Sequence, residues 1–469
     1  MNYSYEPLSK KQVEDVHQAT LDVLFNCGVE MNHPDALELF KKHGCEVNGN
    51  IVKIPESVVT KALSTVPSTF VLEAVNPTYT QQFGHNRPLL GPNSTSPFVI
   101  DINDPYTRRN ATVEDLLNFF KLSETSDVVD IGSNLMIFPV ENISYDKSIK
   151  TSIYEYFMHM TKPFGMAGAN FETVTMAKEI TDILIEKENC VKFFSSLSPV
   201  SPLRYENDIL RGLYRTIEYG GAVQCVPCSA TGMTGPLKAI DNVVLTNAEN
   251  LGMLILTQLI KPGTPFFYST YTAITDMRSL QLATGAPETF KMLNMARQMG
   301  RYYDVPFEMP SAGADAKYVD AQAGIESQLG FMNAFLSGTD SCTFMFGGLD
   351  TFNSVNLEKF ILDEEIARNT YAYFAPTPDL RPEAAGYITE VGQHGTYVKT
   401  KDTMKHYRKE YMFPAASIRG TFADYKDSAS SFNSKLTNIV NKRLTEYVKP
   451  EIPADKMAKL EDIKERYIK

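Results

Sequence analysis

The 469-residue chain contains no tryptophan and only seven histidines, and neither His-x-His nor His-Glu-x-x-His occurs. A histidine-rich hydrolytic metal centre, which needs clustered imidazole and carboxylate ligands, therefore has no sequence support. Its six cysteines are dispersed. The one close pair, Cys225 and Cys228, lacks the second pair that a structural zinc site requires, so reduced, packed thiols are expected. Gly-x-x-x-x-Gly-Lys-Ser/Thr, Gly-x-Gly-x-x-Gly and Gly-x-Ser-x-Gly are all missing, which leaves nucleotide binding and serine hydrolysis without a motif. Positive charge is also scarce. With 45 basic against 56 acidic side chains the net charge is −11, unsuited to nucleic acid or an anionic membrane surface. No apolar run resembles a leader, and a cytoplasmic protein is expected.

What is present is a soluble globular composition, 43% hydrophobic and 22% charged. Residues 1–75 read as a helical cap: apolar positions recur near a 3.6 period from Lys10 to Cys27, Pro34 opens a second helix, and Pro55-Glu56 a third. From Phe70 the pattern becomes short apolar segments alternating with helical stretches. The segments are Asp130–Phe138, Pro163–Gly168, Val191–Pro199, Ala222–Pro227, Pro265–Thr270, Val305–Pro310 and Ser341–Phe346, with Pro97–Asp101 a further strand or a hairpin. Helices are expected from Thr112-Val-Glu-Asp115, over Asn247–Ile260 and over Val319–Leu336. Seven or eight such units favour an α/β fold of the (β/α)₈ TIM-barrel type over residues 76–375. Residues 376–469 form a C-terminal loop and helical extension.

In a barrel the C-terminal strand ends face the active site. Here they are rich in Gly, Ser, Thr, Tyr and Phe and poor in acid-base groups, as in Gly91–Phe98, Ser229–Pro236, Tyr268–Tyr271 and Phe344–Gly348. Each aromatic alone is most simply barrel filling, but the cluster suits an organic cation held by cation-π contact. Asp315 and Lys317 follow a strand and can reach the mouth. Asp320 suits a helix cap, Glu249 a buried pair with a basic neighbour, and Arg204 either a carboxylate receptor or a surface ion pair. His394 can serve an anion from a loop.

Ordered fragments along nearly the whole chain resemble the trimethylamine methyltransferase family, in its branch without pyrrolysine. They include His33-Pro-Asp-Ala-Leu37, Asn247-Ala-Glu249, Pro262-Gly-Thr-Pro265, Asp276-Met-Arg278, Asp315-Ala-Lys317, Asp320-Ala-Gln-Ala-Gly324 and His406-Tyr-Arg408. The resemblance implies a (β/α)₈ barrel that moves a methyl group from an amine to the Co(I) of a separate corrinoid protein. The pyrrolysine of the trimethylamine enzymes falls near Gly347-Gly348-Leu349, where this chain has ordinary residues, and Met412 replaces a frequent Trp. Quaternary amines such as glycine betaine, proline betaine, carnitine or γ-butyrobetaine are the implied substrates. A permanently charged amine already has a neutral leaving group, so positioning rather than acid-base catalysis is expected. Phe98, Tyr268, Tyr271, Phe344 and Phe346 are the expected cation cage beside Gly348, Asp315 is expected to lend negative potential, and Arg204 and His394 are expected to hold the substrate carboxylate. No tightly bound cofactor, no metal and a homo-oligomer are expected. A corrinoid-dependent demethylase of another amine and a non-catalytic betaine carrier are the rival readings.

Overall fold

A computed structural model describes residues 4–85, 87–427 and 432–469. Eight short parallel strands follow one another around a barrel: Leu89–Leu90, Gly132–Ser133, Phe164–Met166, Phe193–Leu197, Ala222–Cys225, Phe266–Ser269, Phe307–Pro310 and Ser341–Thr343. From the second strand onward each is hydrogen-bonded in parallel register to the next, and the last pairs with the first. The remaining seam closes where the Asp130 N–H donates to the Leu90 carbonyl at 2.8 Å. One helix follows each strand, from Val113–Glu124 after the first to Leu357–Phe374 after the eighth. This is the α/β architecture anticipated from the alternation of short apolar segments with helices.

The first barrel strand is one that the sequence reading does not name. Leu89–Leu90 is only two residues long and follows Arg87-Pro88, so it carries no alternation of its own. Pro97–Asp101 resolves as one arm of a hairpin, Phe98–Asp101 with Asp104–Asn110, attached outside the barrel to Ser354–Val355. Thr112 caps its helix as read, its hydroxyl accepting from the Asp115 N–H while Asp115 returns to Thr112. Asp320 likewise caps Ala321–Ser337.

The N-terminal region is not purely helical. Three α-helices, Lys10–Asp22, Pro34–Lys42 and Glu56–Leu63, share it with strands Val29–Met31, Glu46–Asn48 and Ile51–Lys53, and barrel-loop strand Arg204–Tyr205 joins that sheet. A second hairpin, Phe70–Leu72 with Gln81–Phe83, straddles residue 75 and lies across the N-terminal end of the barrel. There Phe70 and Phe83 meet Phe267 at ring distances of 4.8 and 4.7 Å, and together with Leu72, Leu89, Ile131, Phe194 and Ala222 they form a separate buried core.

Helix Ala239–Ile260 begins eight residues before the expected Asn247 and is long and apolar enough to cross a membrane. Most of it is buried between the barrel and the N-terminal helices, which accounts for an apolar surface on nearly every side. Beyond the barrel, Phe432–Glu446 packs on Leu357–Phe374, with Arg443 on Glu364 at 2.6 Å, and Ala454–Tyr467 packs on Phe171–Leu184.

Candidate active site at the barrel mouth

Strand alternation decides which side chains enter the lumen. On Ala222–Cys225, Gln224 points inward and Cys225 outward; on Phe266–Ser269, Phe267 and Ser269 point inward while Tyr268 points outward. Inward residues of three strands, the fifth, sixth and eighth, and Tyr271 beyond the sixth converge on one carboxylate, that of Glu308 on Phe307–Pro310. It is 2% exposed. Oε2 accepts from Gln224 Nε2 at 2.5 Å and from the Ser269 hydroxyl at 2.7 Å. Oε1 accepts from the Thr343 hydroxyl and, at 3.2 Å, from the Tyr271 hydroxyl, which lies 2.6 Å from Thr343 Oγ1. Ser196 completes the ring by donating to the Gln224 side-chain oxygen.

Burial pushes the Glu308 carboxyl above the usual carboxylate range, and the four donors pull it back. Four neutral donors converging on one carboxylate are a cradle for the ionised form, yet among the described residues no Lys, Arg or His pairs with it. Above it opens a narrow cavity of about 30 Å³, lined by Ser94, Ser133, Phe194, Ser196, Gln224, Tyr271 and Thr343 among others. The glycines at its wall have a steric reason: a Cβ on Gly165 would stand 2.3 Å from the Phe194 ring. Among the described residues no group of three potential metal ligands gathers anywhere.

Of the expected cage residues, Tyr271 faces the lumen. Phe344 stands beside it at the rim, its ring edge-on to Tyr271 at 5.1 Å and 4.3 Å from Phe352. Tyr268 instead lies in the layer between strand and helix, donating its hydroxyl to Asn247 Oδ1 at 2.9 Å and stacking on Phe307. Phe346 also packs outward, against Phe331 and Phe360. Phe98 sits on the external hairpin with the Arg108 guanidinium 4.2 Å over its ring, so that face is already taken by a cation. Gly348 is buried beyond the eighth strand, where an added Cβ would come within 2.7 Å of Asn93 Oδ1.

The charged candidates lie elsewhere. Asp315 spends its carboxylate on the Thr284 and Gly285 N–H groups and the Thr284 and Thr351 hydroxyls, tying loops together. Lys317 pairs with Asp350 at 2.7 Å. Arg204, half exposed on the N-terminal sheet, pairs with Glu206 at 2.9 Å, the surface ion pair of its two readings. His394 is exposed on the C-terminal extension. Among the described residues no basic side chain pairs with Glu249: Ser201 and the Leu203 N–H donate to it, and burial pushes its carboxyl up to about 7. Glu308, Gln224 and Phe194 escaped the sequence reading. For Glu308 and Gln224 the signal was a lone polar residue inside the apolar runs Pro306-Phe-Glu-Met-Pro310 and Ala222-Val-Gln-Cys225, and Phe194 carried none.

The sequence profile described as trimethylamine methyltransferase (MTTB) matches residues 2–468. The chain belongs to this family. Among its relatives, glycine betaine methyltransferase of Desulfitobacterium hafniense (strain Y51) is 30% identical, the match covering 97% of this chain and 96% of the relative. Proline betaine:corrinoid methyltransferase of Eubacterium limosum is also 30% identical, over 98% and 96%. L-Carnitine:corrinoid methyltransferase of the same organism is 28% identical, over 94% and 93%. Among solved structures, the monomethylamine methyltransferase of Methanosarcina barkeri superposes with a TM-score of 0.55 at 12% identity, covering 96% of this chain and 91% of that one. That likeness is one of fold, and it agrees with the closed barrel seen here.

Proposed function

We propose that this family member transfers a methyl group from a quaternary amine of the betaine class, such as glycine betaine, proline betaine, carnitine or γ-butyrobetaine, to the Co(I) of a corrinoid protein. The observation that carries this reading is a cavity lined by aromatic and neutral polar side chains over one buried carboxylate, with no basic group on it among the described residues. Such a site receives a cation, and Tyr271 and Phe194 offer it ring surface. The identity to betaine and carnitine methyltransferases supports the same class.

The chemistry asks little of the protein in proton transfer. As the methyl group leaves, the C–N electron pair stays on nitrogen and a neutral tertiary amine departs, so no acid is needed. The reduced corrinoid supplies the nucleophile. A cavity of this size has no room for a corrin ring, which supports a corrinoid carried by a separate protein that meets the substrate at the mouth. The barrel's part is to fix the N–CH₃ axis and exclude water.

Mixing the protein with a reduced corrinoid protein and offering each betaine and trimethylamine in turn tests this. One betaine should discharge the Co(I) absorbance while trimethylamine leaves it unchanged; no change with any betaine and any corrinoid protein would overturn the proposal. A homo-oligomer in the cytoplasm completes the reading. Exposed apolar side chains of the C-terminal extension, including Ile388, Val398, Phe413 and Phe422, support self-association, and free thiols suit a reducing compartment. Sedimentation as a monomer at micromolar concentration would contradict the oligomer.

A further inference from the structure

The Glu308 cradle raises a question of charge that the methyl-transfer chemistry does not answer. A carboxylate buried this deeply, without a cation in contact, is costly when ionised. Around it stand four neutral donors, from strands five, six and eight and from Tyr271 beyond strand six. The oxygens of Tyr271, Thr343 and Glu308 lie mutually within hydrogen-bond reach, and the two hydroxyls bring only two hydrogens to three contacts. A proton on the carboxyl supplies the third, so the triangle is fully bonded when Glu308 is neutral. When a cation enters the lumen the balance reverses, because an adjacent positive charge favours the ionised form.

We propose that Glu308 is the counter-ion of the substrate's quaternary nitrogen, and that the arrival of this permanent cation expels a proton from Glu308 to solvent. The proposal rests on the functional reading above and deepens it: the barrel selects for charge on the ligand rather than for an acidic hydrogen. No bond to carbon changes in this step. The O–H bond of Glu308 breaks, its electron pair remains on the carboxylate, and the proton passes to buffer. Among the described residues, the other titratable groups close enough to feel Glu308 are Tyr271, Cys228 beyond strand five and Cys342, on the outward side of strand eight. Desolvation by the surrounding protein pushes the Cys228 thiol up to about 12 although its side chain is exposed, and burial holds Cys342 and Tyr271 well above their ordinary values. All three stay protonated near neutral pH, leaving Glu308 as the group that responds.

The measurement is isothermal titration calorimetry of the full-length protein with tetramethylammonium, a cation with no other recognisable feature, and with the four betaines. Each titration is run in two buffers of different ionisation enthalpy between pH 6 and 8. The expected result is an observed heat that depends on the buffer, corresponding to release of up to about one proton, and an affinity that rises with pH by up to about tenfold per unit while Glu308 is protonated in the free protein. Glu308→Gln should abolish the buffer dependence and weaken tetramethylammonium by about tenfold or more, the equivalent of one pKa unit of lost interaction. Ser269→Ala, which removes one donor to the ionised form, should shift the midpoint of the affinity profile to higher pH, and it decides the matter should Glu308→Gln fail to fold. Buffer-independent heats, unchanged affinity in Glu308→Gln, or no cation bound at all would overturn the counter-ion role. Proton-coupled cation binding without discharge of any Co(I) corrinoid would overturn the methyl-transfer reading alone, and methyl transfer without proton release would overturn this inference alone.

Discussion

Tyr271 holds two roles that a substitution series separates. Its ring lines the lumen while its hydroxyl serves Glu308 and Thr343. Tyr271→Ala should weaken betaine binding by about 1–2 kcal/mol through loss of the ring face. Tyr271→Phe keeps that face, so it should recover most of the affinity in the same calorimetric measurement. Arg204→Ala and His394→Ala should leave affinity unchanged, since one side chain is paired on the N-terminal sheet and the other is exposed far along the extension. A loss above threefold in either would place the substrate carboxylate there after all. Residue type had suggested these two as anion receptors. Type alone cannot say which side of a strand a residue occupies or which neighbour claims its charge, and for Phe98 the claimant is Arg108.

Strands and helices were easier to read than their faces. The rhythm of apolar segment and helix gave the barrel because burying eight parallel strands requires short β-rich runs separated by amphipathic turns of helix. It could not give inward and outward sides, since strands buried on both faces lose the apolar-polar alternation that marks parity. Tyr268 and Phe346 thus looked equivalent to Tyr271 in sequence, yet two are packing and one is lumen. Leu89–Leu90 was too short to signal itself, and the sheet in the N-terminal region was hidden because its strands are three residues each. The same element geometry makes Gly165 a sensitive position. Gly165→Ala would press a methyl group into Phe194 from the neighbouring strand, at an expected cost of about 1–3 kcal/mol in denaturant unfolding, with a weakened betaine affinity as the ring is displaced.

For the molecule as a whole, buried acids set how stability follows pH. Glu249 is fully buried in helix Ala239–Ile260 with its carboxyl near 7, against an ordinary value of 4.5. Below pH 4.5 both folded and unfolded chains carry the proton and the group is neutral in its effect. Between 4.5 and 7 the unfolded chain ionises first, so folding is progressively penalised as pH rises, by an amount on the order of 3 kcal/mol once both are ionised. Glu249→Gln should remove that slope, raising the unfolding midpoint at pH 8 more than at pH 5; an equal shift at both would show that the carboxyl is ionised throughout. The hairpin of Phe70 and Phe83 across the N-terminal end of the barrel has a different consequence, one of traffic. A tube stoppered at one end is a cul-de-sac. On the proposed function, amine enters, demethylated amine leaves and the methyl group crosses at the open end, where the acceptor protein is expected to stand. Loading, visit, departure and unloading are then expected to follow in that order.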